Sequence, residues 1–443
     1  MTWGQERGGA SSLWTMSRRR SRRQNASNHG DHAELDALAS QEAVVGALAL
    51  AAGAAVLTPK AIELLGSLHQ RLTTETPRVE YSPTERNRRL VERCPHLSEH
   101  LQTVQLSWAN DNEKEPAIAY ERQILDLPDG GIVSLDWSLP ADEAGRVPPL
   151  SEIDSTKKTA LILPGLTGGS SEHYIRTAVR RLNNDGWQCV VLNARGCANT
   201  PLKTAHLFCI AYTGDLRFVA KYLSEKYDFT RDAFVGIGFS LGSNVLVKYL
   251  GEERDATPLT AAISIGNPFD IVKCSANIDG TLFNRLTYSR ALGQGLQDLF
   301  FNRSNAHEVF QGYPGIDIEA LRAAKTVSEF DALFTIKHFK YGSVDEFYRD
   351  GSSLSRLPHV AVPLLCINAE DDPISVAAGL PTRDQVEANP NVILCVTKSG
   401  GHLAFYETPD AADEDSSGKR LPVWSVKAIA EFAESTRQLK REV

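Results

Sequence analysis

Several features that would indicate particular functions are missing from this chain of 443 residues. Its seven cysteines form no C-x-x-C pair, and no group of cysteines and histidines has the spacing of a zinc site. The net charge is −8, so the chain lacks the basic excess typical of nucleic-acid binding. No period of about 20 to 50 residues repeats along the chain, which argues against a solenoid or a propeller. We therefore expect no metal and no nucleic-acid partner.

A disulfide framework is also not expected, because such frameworks are typical of small secreted domains. Four cysteines lie in or beside apolar runs, which predicts buried free thiols: Cys189, Cys209, Cys366 and Cys395. Hydrophobic residues make up 42% of the chain and charged residues 23%, an ordinary globular balance. The length suits one large domain with additions, or two domains.

The N-terminal region has almost no acidic residues. Residues 1–30 contain six arginines and a single acid, and Ser, Gly and Asn fill the gaps, so we expect residues 1–42 to be disordered. The run "AVVGALALAAGAAVL", residues 43–57, has no polar side chain. As a helix it would cover about 22 Å, short of the roughly 30 Å hydrocarbon core of a bilayer. Because a longer helix is needed to span this core, the candidate membrane anchor or targeting helix is residues 43–66.

Three interpretations of this N-terminal pattern remain open. A single-pass anchor would keep the arginines on the cytoplasmic side of a membrane. A transit peptide for the mitochondrion or the plastid would explain arginine and serine with few acids. A buried helix of a soluble domain is the third. We favour the anchor, and hence a membrane-associated protein.

From residue 120 onward, short apolar runs alternate with helical patterns. "YERQILDLPDGGIVSLDWS", residues 120–138, predicts two strands around a turn at 129–131. Strands are also predicted in "TALILPG", "QCVVLN", "AFVGIG" and "AAISIG". Helices are predicted over 174–182 and 215–227, the latter with Asp215 as N-cap. This alternation predicts an α/β fold with a mostly parallel sheet flanked by helices.

The stretch "GFSLG" fits the G-x-S-x-G pattern of a nucleophile elbow. Ser240 lies between a predicted buried strand and a predicted helix, where an elbow projects the serine hydroxyl from the top of the sheet. Gly238 and Gly242 suit positions where neighbouring backbone leaves no room for a side chain. Most isolated matches to this pattern are ordinary helix starts, but the strand–turn–helix context favours a nucleophile.

A serine nucleophile needs a base and an acid, which follow it along the chain in α/β-hydrolases. His402 comes after a predicted strand and two glycines, and it is the only histidine beyond residue 359. The acid is Asp372 or Asp371, and we favour Asp372, which directly precedes Pro373. Glu370 is expected to be a solvated neighbour.

The oxyanion hole requires two backbone N–H groups. Leu241 follows the nucleophile, and Leu166 lies in the loop "LPGLTGGSSEHY", residues 163–174. This glycine-rich loop lacks the lysine of a phosphate-binding loop. His173 is expected on the exposed first turn of a helix.

Together these motifs resemble family 4 of the AB-hydrolase superfamily, the lipases that contain an α/β-hydrolase domain. The resemblance covers most of residues 80–410 and leans towards the plant and algal branch. It is carried by "LPGLTGGSSEHY", "NARGCANTP", "GFSLGSNVLVKYLGEE", "ISIGNPFDI", "VSEFDALFT", "PLLCINAEDDPIS" and "NPNVILCVTKSGGHLAF". The resemblance implies an α/β-hydrolase fold in which Ser240 is the nucleophile, Asp372 the acid and His402 the base.

We therefore expect an α/β-hydrolase domain over residues 80–443. About ninety residues, 271–361, are too many for one crossover loop, and their Phe and Leu content predicts a mainly helical lid insertion. A plain structural insertion is the alternative.

The expected activity is a serine hydrolase that cleaves lipid esters through an acyl-enzyme, without a cofactor. The resemblance implies acylglycerols, phospholipids or short- to medium-chain fatty esters as substrates. An alcohol O-acyltransferase with the same triad is an alternative, and a catalytically idle lipid-binding or scaffold protein is an alternative of another class. Nothing in the sequence indicates the oligomeric state.

Overall fold

The structure, a computed structural model, describes residues 74–98, 101–102, 117–142, 145–407 and 423–442. The predicted disordered segment 1–42 and the predicted anchor helix 43–66 lie outside these residues. Within the described part of the chain, no helix is long and apolar enough to cross a membrane.

A central sheet of nine strands organises the described residues. Its spatial order is β2-β11-β10-β9-β8-β6-β7-β5-β4, and β1 and β3 form a separate antiparallel pair. The strands are β1 (Thr74–Glu75), β2 (Arg78–Tyr81), β3 (Leu101–Gln102), β4 (Glu121–Asp126), β5 (Ile132–Ser138), β6 (Thr159–Leu163), β7 (Gln188–Asn193), β8 (Phe234–Phe239), β9 (Ala261–Ile265), β10 (Leu364–Ala369) and β11 (Val392–Thr397). The pairs from β7 through β6, β8, β9 and β10 to β11 are parallel, whereas β4, β5 and β2 pair antiparallel at the edges.

The helices lie between and after these strands. They are α1 (Glu85–Glu92), α2 (His173–Asn184), α3 (Gly214–Lys226), α4 (Leu241–Glu253), α5 (Ile271–Gly280), α6 (Leu282–Asn284), α7 (Arg290–Asp298), α8 (Ala306–Val309), α9 (Ile318–Arg322), α10 (Val327–Phe330), α11 (Ile336–Phe339), α12 (Val344–Gly351), α13 (Arg383–Glu387) and α14 (Trp424–Arg441). Three π-helical segments adjoin them, at Arg285–Ser289, Leu299–Arg303 and Asp331–Thr335. Short 3₁₀ turns lie at Pro95–Leu97, Leu150–Glu152, Phe229–Arg231, Arg254–Ala256, Ser353–Ser355, Leu357–His359 and Ala377–Gly379.

Both faces of the sheet are covered by helices. In β6, Ile162 faces a core that includes side chains of α2 and α14, whereas Leu161 faces a core that includes side chains of α3 and α4. This burial on both faces explains why the parallel strands are continuous apolar runs in the sequence and do not alternate between apolar and polar residues. The predicted α/β fold is confirmed, and the four cysteines predicted to be buried free thiols are so, as are Cys94, Cys197 and Cys274.

One predicted helix start is wrong. Helix α3 begins at Gly214 with Thr213 as N-cap, and Asp215 lies inside its first turn. The carboxylate of Asp215 instead accepts two hydrogen bonds, of 2.8 and 2.7 Å, from the buried guanidinium of Arg195. This bidentate, charge-assisted pair occupies both oxygens of the carboxylate, which therefore does not cap the helix.

The segment between β9 and β10 is helical and contains α5 to α12. Its side chains build two small apolar cores outside the sheet, together with side chains of residues 202–212. In the first core, the ring centroids of Phe300 and Phe334 lie 5.2 Å apart. The segment therefore packs on the 202–212 loop rather than on itself alone.

Candidate active site

Ser240 occupies the sharp turn between β8 and α4. Its backbone has φ +52° and ψ −118°, a conformation that side-chain-bearing residues rarely adopt and that is found at functional sites. The N–H of Ser240 donates to the carbonyl of Ile265 at 2.9 Å, and its carbonyl accepts from the hydroxyl of Ser243 at 2.6 Å and the N–H of Asn244 at 3.1 Å. These bonds to the backbone hold the strained residue in place.

Two glycines make this turn sterically feasible. A Cβ on Gly238 would lie 2.5 Å from the Cα of Ser243. A Cβ on Gly242 would lie 2.4 Å from the carbonyl oxygens of Leu163 and Pro164. Helix α4 therefore begins directly against the end of β6, which brings the loop after β6 beside Ser240.

His402 connects the serine to a carboxylate. Its Nε2 lies 2.7 Å from the Oγ of Ser240, and its Nδ1 lies 2.8 Å from the Oδ2 of Asp372. The other carboxylate oxygen of Asp372 accepts the N–H groups of Ile374 and Ser375 at 2.8 and 2.9 Å. The Asp372 side chain is fully buried, whereas the imidazole is 19% exposed. The arrangement can pass a proton from the hydroxyl to the imidazole while the buried carboxylate orients the ring.

The two acidic residues before Asp372 have other partners. The carboxylate of Asp371 accepts the N–H of Gly401 at 2.9 Å, and burial raises the pKa of this carboxyl above its usual range. The side chain of Glu370 is 48% exposed and lies 3.6 Å from Arg78. Asp371 thus holds the loop that contains His402 by accepting a backbone N–H from that loop. Glu370 is a solvated neighbour.

Gly266, at the end of β9, allows the His402 loop to approach the sheet. Its φ is +61°, and a Cβ there would lie 2.5 Å from the carbonyl oxygen of His402. The hydroxyl of Ser375 donates to the carbonyl of Gly266 at 2.7 Å. Gly266 was not predicted as a site residue, although it directly follows a predicted strand.

The two candidate oxyanion-hole residues lie at the same cavity as Ser240. Leu241 is the first residue of α4, where helix N–H groups lack intrahelical partners. Leu166 follows Gly165, and a Cβ on Gly165 would lie 3.2 Å from the Cβ of Ser240. The N–H of Gly165 is already occupied, because it donates to the hydroxyl of Tyr174 at 2.9 Å.

The second half of the loop after β6, around Ser170, is held by buried polar side chains. The N–H of Ser170 donates to the amide oxygen of Asn193 at 2.9 Å, and the Ser170 hydroxyl donates to Asp136. Burial of Asp136 opposes its charge, but hydrogen bonds from Arg122, Ser170 and Asn193 keep its pKa below the usual value. Neither Asp136 nor Asn193 was predicted as a supporting residue: Asp136 lies in none of the family motifs, and Asn193 opens "NARGCANTP" without an assigned role.

A cavity of about 120 Å³ opens at Ser240. Most of its lining is apolar and comes from the β6 loop, the 207–210 segment and the helical segment between β9 and β10. Its apolar members include Leu207, Phe208, Ile271, Ile278, Leu292, Leu296, Phe330, Phe334 and Phe347. His173 is exposed at the start of α2, as expected.

No group of three or more His, Cys, Asp or Glu side chains in the described residues could hold a metal ion.

Comparison with known proteins decides the family. The profile of the alpha/beta hydrolase fold family matches residues 159–409. The chain belongs to the α/β-hydrolase family. This membership confirms the fold and the family that the motifs predicted.

Three relatives illustrate the similarity. Embryogenesis-associated protein EMB8 of Picea glauca is 35% identical over 316 residues, which span 70% of this chain and 66% of the relative. Phospholipase ABHD3 of Mus musculus is 33% identical over 329 residues, 72% and 77% of the two chains. Monoacylglycerol lipase of Saccharomyces cerevisiae is 31% identical over 363 residues, 75% and 77% of the two chains. Two of the three names describe lipid-ester hydrolysis.

Proposed function

We propose that this α/β-hydrolase is a serine esterase that cleaves carboxylic esters of lipids through an acyl-enzyme. The observation that carries the proposal is the position of His402, whose two ring nitrogens lie 2.7 Å from the Ser240 hydroxyl and 2.8 Å from the Asp372 carboxylate. A binding or scaffold protein would have no need for this chain of three groups at the end of a strained turn.

Acylation begins when the Oγ of Ser240 attacks the ester carbonyl carbon and His402 Nε2 takes the hydroxyl proton. Asp372 holds the imidazole in the required tautomer and stabilises the imidazolium. Collapse of the tetrahedral intermediate breaks the carbon–oxygen bond of the leaving alcohol, which receives the proton from His402. Water then attacks the acyl-enzyme with His402 as base and releases the carboxylic acid.

The developing oxyanion requires hydrogen-bond donors that are oriented before the reaction. We assign this role to the backbone N–H groups of Leu241 and Leu166. Their place at the wall of the Ser240 cavity supports the assignment. So does the binding of the Gly165 N–H by Tyr174, because this bond limits how the neighbouring peptide of Leu166 can rotate.

Acylglycerols or phospholipids with short- to medium-chain acyl groups are the proposed substrates. The apolar wall of the cavity suits an acyl chain, and the names of the yeast and mouse relatives describe acylglycerol and phospholipid hydrolysis. In this proposal the 271–361 segment is the lid, and its apolar residues enclose the acyl group.

Acyl transfer to an alcohol is a second outcome of the same chemistry. An alcohol that enters the site in place of water would attack the acyl-enzyme and form a new ester. The apolar lining of the cavity favours acyl transfer over hydrolysis because it limits access for water.

We also propose that residues 43–66 attach the enzyme to a membrane. The support is the order of the sequence, in which an arginine-rich stretch precedes fifteen residues without a polar side chain. Attachment would place the site close to bilayer substrates.

A panel of esters tests the proposed function. The full-length protein is incubated with monoacylglycerols, diacylglycerols, phospholipids and ethyl esters of matched acyl length, and free fatty acid is measured. Ethanol is added in a parallel series to detect new ethyl ester. Hydrolysis that is lost in Ser240→Ala supports the proposal, and an absence of turnover across the whole panel would contradict it.

A further inference from the structure

One wall of the cavity beside Ser240 carries a hydrogen-bonded group of polar side chains, here called the Asp331 cluster. The hydroxyl of Thr335 donates to Asp331 Oδ1 at 2.6 Å, and the hydroxyl of Tyr348 donates to Asp331 Oδ2 at 2.9 Å. These three side chains and Ser275 all line the cavity. None of them takes part in the mechanism described above.

Asp331 lacks the partner that a buried carboxylate normally has. Its exposed fraction is 7%, and within the described residues no Lys, Arg or His nitrogen lies within ion-pairing distance of its oxygens. Burial raises the pKa of Asp331 to about 6, against the opposing effect of its two hydrogen bonds. An uncompensated buried carboxyl destabilises the folded state.

A purely structural role does not account for this arrangement. The cluster links the π segment at residues 331–335 to α12, but well-packed apolar side chains can join such elements without burying a charge. Asp331 is also the first residue of this π segment, a widened helical turn of the kind that occurs often at functional sites. The cost of burying Asp331 is therefore better explained by a ligand.

The free hydrogen-bonding capacity of the cluster defines what that ligand offers. A carboxylate has about four acceptor positions, and two are occupied here. Apart from Ser240, Ser275 and the cluster itself, the residues of the lining have hydrocarbon side chains, except for two cysteines. The cavity thus favours a mostly apolar molecule that carries a hydrogen-bond donor. An anionic group would be repelled, and a cationic one would lose its hydration against the apolar wall.

We propose that the Asp331 cluster is a binding subsite for a hydroxyl group of the substrate. The hydroxyl donates to Asp331, and it belongs either to the alcohol portion of the ester, as in a partial glyceride, or to the acyl chain. This inference rests on the proposed esterase function and adds to it a preference for neutral esters with a free hydroxyl group.

Two matched pairs of esters distinguish these sources. The first pair is 1-monooctanoylglycerol and propyl octanoate, and the second is ethyl 8-hydroxyoctanoate and ethyl octanoate. For the full-length protein we expect kcat/KM to favour the hydroxylated member of one pair on the order of tenfold, as for a hydrogen bond to a charged group. The first pair reports a hydroxyl on the alcohol side, and the second reports one on the acyl side.

Substitutions then test the residue. Asp331→Leu should bring the kcat/KM ratio of that pair close to one, and Asp331→Asn, the variant more certain to fold, should give an intermediate ratio. Tyr341→Phe is the matched control, because it breaks another tyrosine–aspartate hydrogen bond of the same helical segment, 2.6 Å to Asp350, outside the Ser240 cavity, so the ratio should persist. A ratio near one for both pairs in the unaltered protein, or a ratio that Asp331→Leu leaves unchanged, would overturn the proposal.

A binding measurement separates this inference from the proposed function. The ether 1-O-octylglycerol has no ester to cleave, and calorimetry should show that it binds the unaltered protein about tenfold more tightly than Asp331→Leu. If this difference is found but no ester is hydrolysed, the subsite stands and the esterase function fails. If esters are hydrolysed without the difference and without a ratio, the subsite fails alone.

Discussion

The Nδ1 of His402 lies 2.8 Å from the Oδ2 of Asp372, whereas the adjacent Asp371 accepts the backbone N–H of Gly401 at 2.9 Å. The two neighbouring carboxylates thus have different roles: Asp372 orients the imidazole, and Asp371 holds the loop backbone. Asp372→Asn should lower kcat by a factor on the order of 10³ to 10⁴, because the imidazole loses the partner that fixes its tautomer. Asp371→Asn should lower it far less. Steady-state kinetics on a soluble ester measure both, and reversed effects would mean that the wrong aspartate has been chosen.

The contact between Tyr174 and Gly165 gives a second prediction. Tyr174→Phe leaves the Gly165 N–H without its acceptor and loosens the peptide that carries the Leu166 N–H. We expect kcat to fall on the order of tenfold, less than for the loss of an oxyanion donor itself. Affinity for a boronic acid, which mimics the tetrahedral intermediate, should fall by a similar factor, while KM changes little.

Tyr222→Phe is the matched control for this experiment. It removes a tyrosine hydroxyl that bonds to Gln123 at 2.8 Å on the outer part of the sheet, away from the Ser240 cavity. Equal effects of the two substitutions, or a Tyr174→Phe variant that changes KM alone, would argue against a role for Tyr174 in orienting the loop.

The glycines of the elbow give a third prediction. Gly242→Ala would place a methyl group 2.4 Å from two backbone carbonyl oxygens, which cannot move without displacing the end of β6. Activity should be lost, and Tm should fall by several degrees. Gly280→Ala is the control, because no atom lies within 4 Å of the added Cβ. Comparable Tm values for the two variants would show that α4 does not need this close approach.

The N-terminal segment gives a fourth prediction. Removal of residues 1–70 should release the protein from membranes into the soluble fraction after an alkaline carbonate wash, with turnover of a short soluble ester nearly unchanged. The reason is that residues 43–66 provide the only predicted attachment. If the full-length protein itself washes off at high pH, the anchor proposal fails. A shortened N-terminus in the mature protein would indicate a transit peptide.

Much of the catalytic core was predictable because its signals are local. The apolar run "QCVVLN" corresponds residue for residue to β7, and the turn at 129–131 separates β4 from β5. The candidate nucleophile and base each follow a predicted strand, and the carboxyl ends of parallel strands meet at one edge of a sheet. The sequence order Ser, Asp, His and the strand pattern therefore indicated Ser240 and His402 and left Asp372 and Asp371 as candidates for the acid.

The supporting residues were not predictable in this way. Asp136 on β5 accepts hydrogen bonds from Asn193 on the neighbouring β7 and from Ser170 in the loop after β6, and such contacts between positions distant in sequence leave no periodic or spacing signal. Asp215 was mistaken for an N-cap because its position in the sequence fits a cap, whereas its partner, Arg195, is remote along the chain. Asp331 lies in the quoted stretch "VSEFDALFT", but nothing in that stretch indicates a buried carboxylate, and only its burial in the cavity distinguishes it.

Covalent labelling is a direct test of Ser240 as a nucleophile that is activated by His402. The full-length protein is treated with a fluorophosphonate, and the modified residue is located by mass spectrometry. We expect a single adduct on Ser240, none in Ser240→Ala, and labelling slowed by orders of magnitude in His402→Ala. Undiminished labelling of Ser240→Ala, or a folded full-length protein that does not react at all, would contradict it.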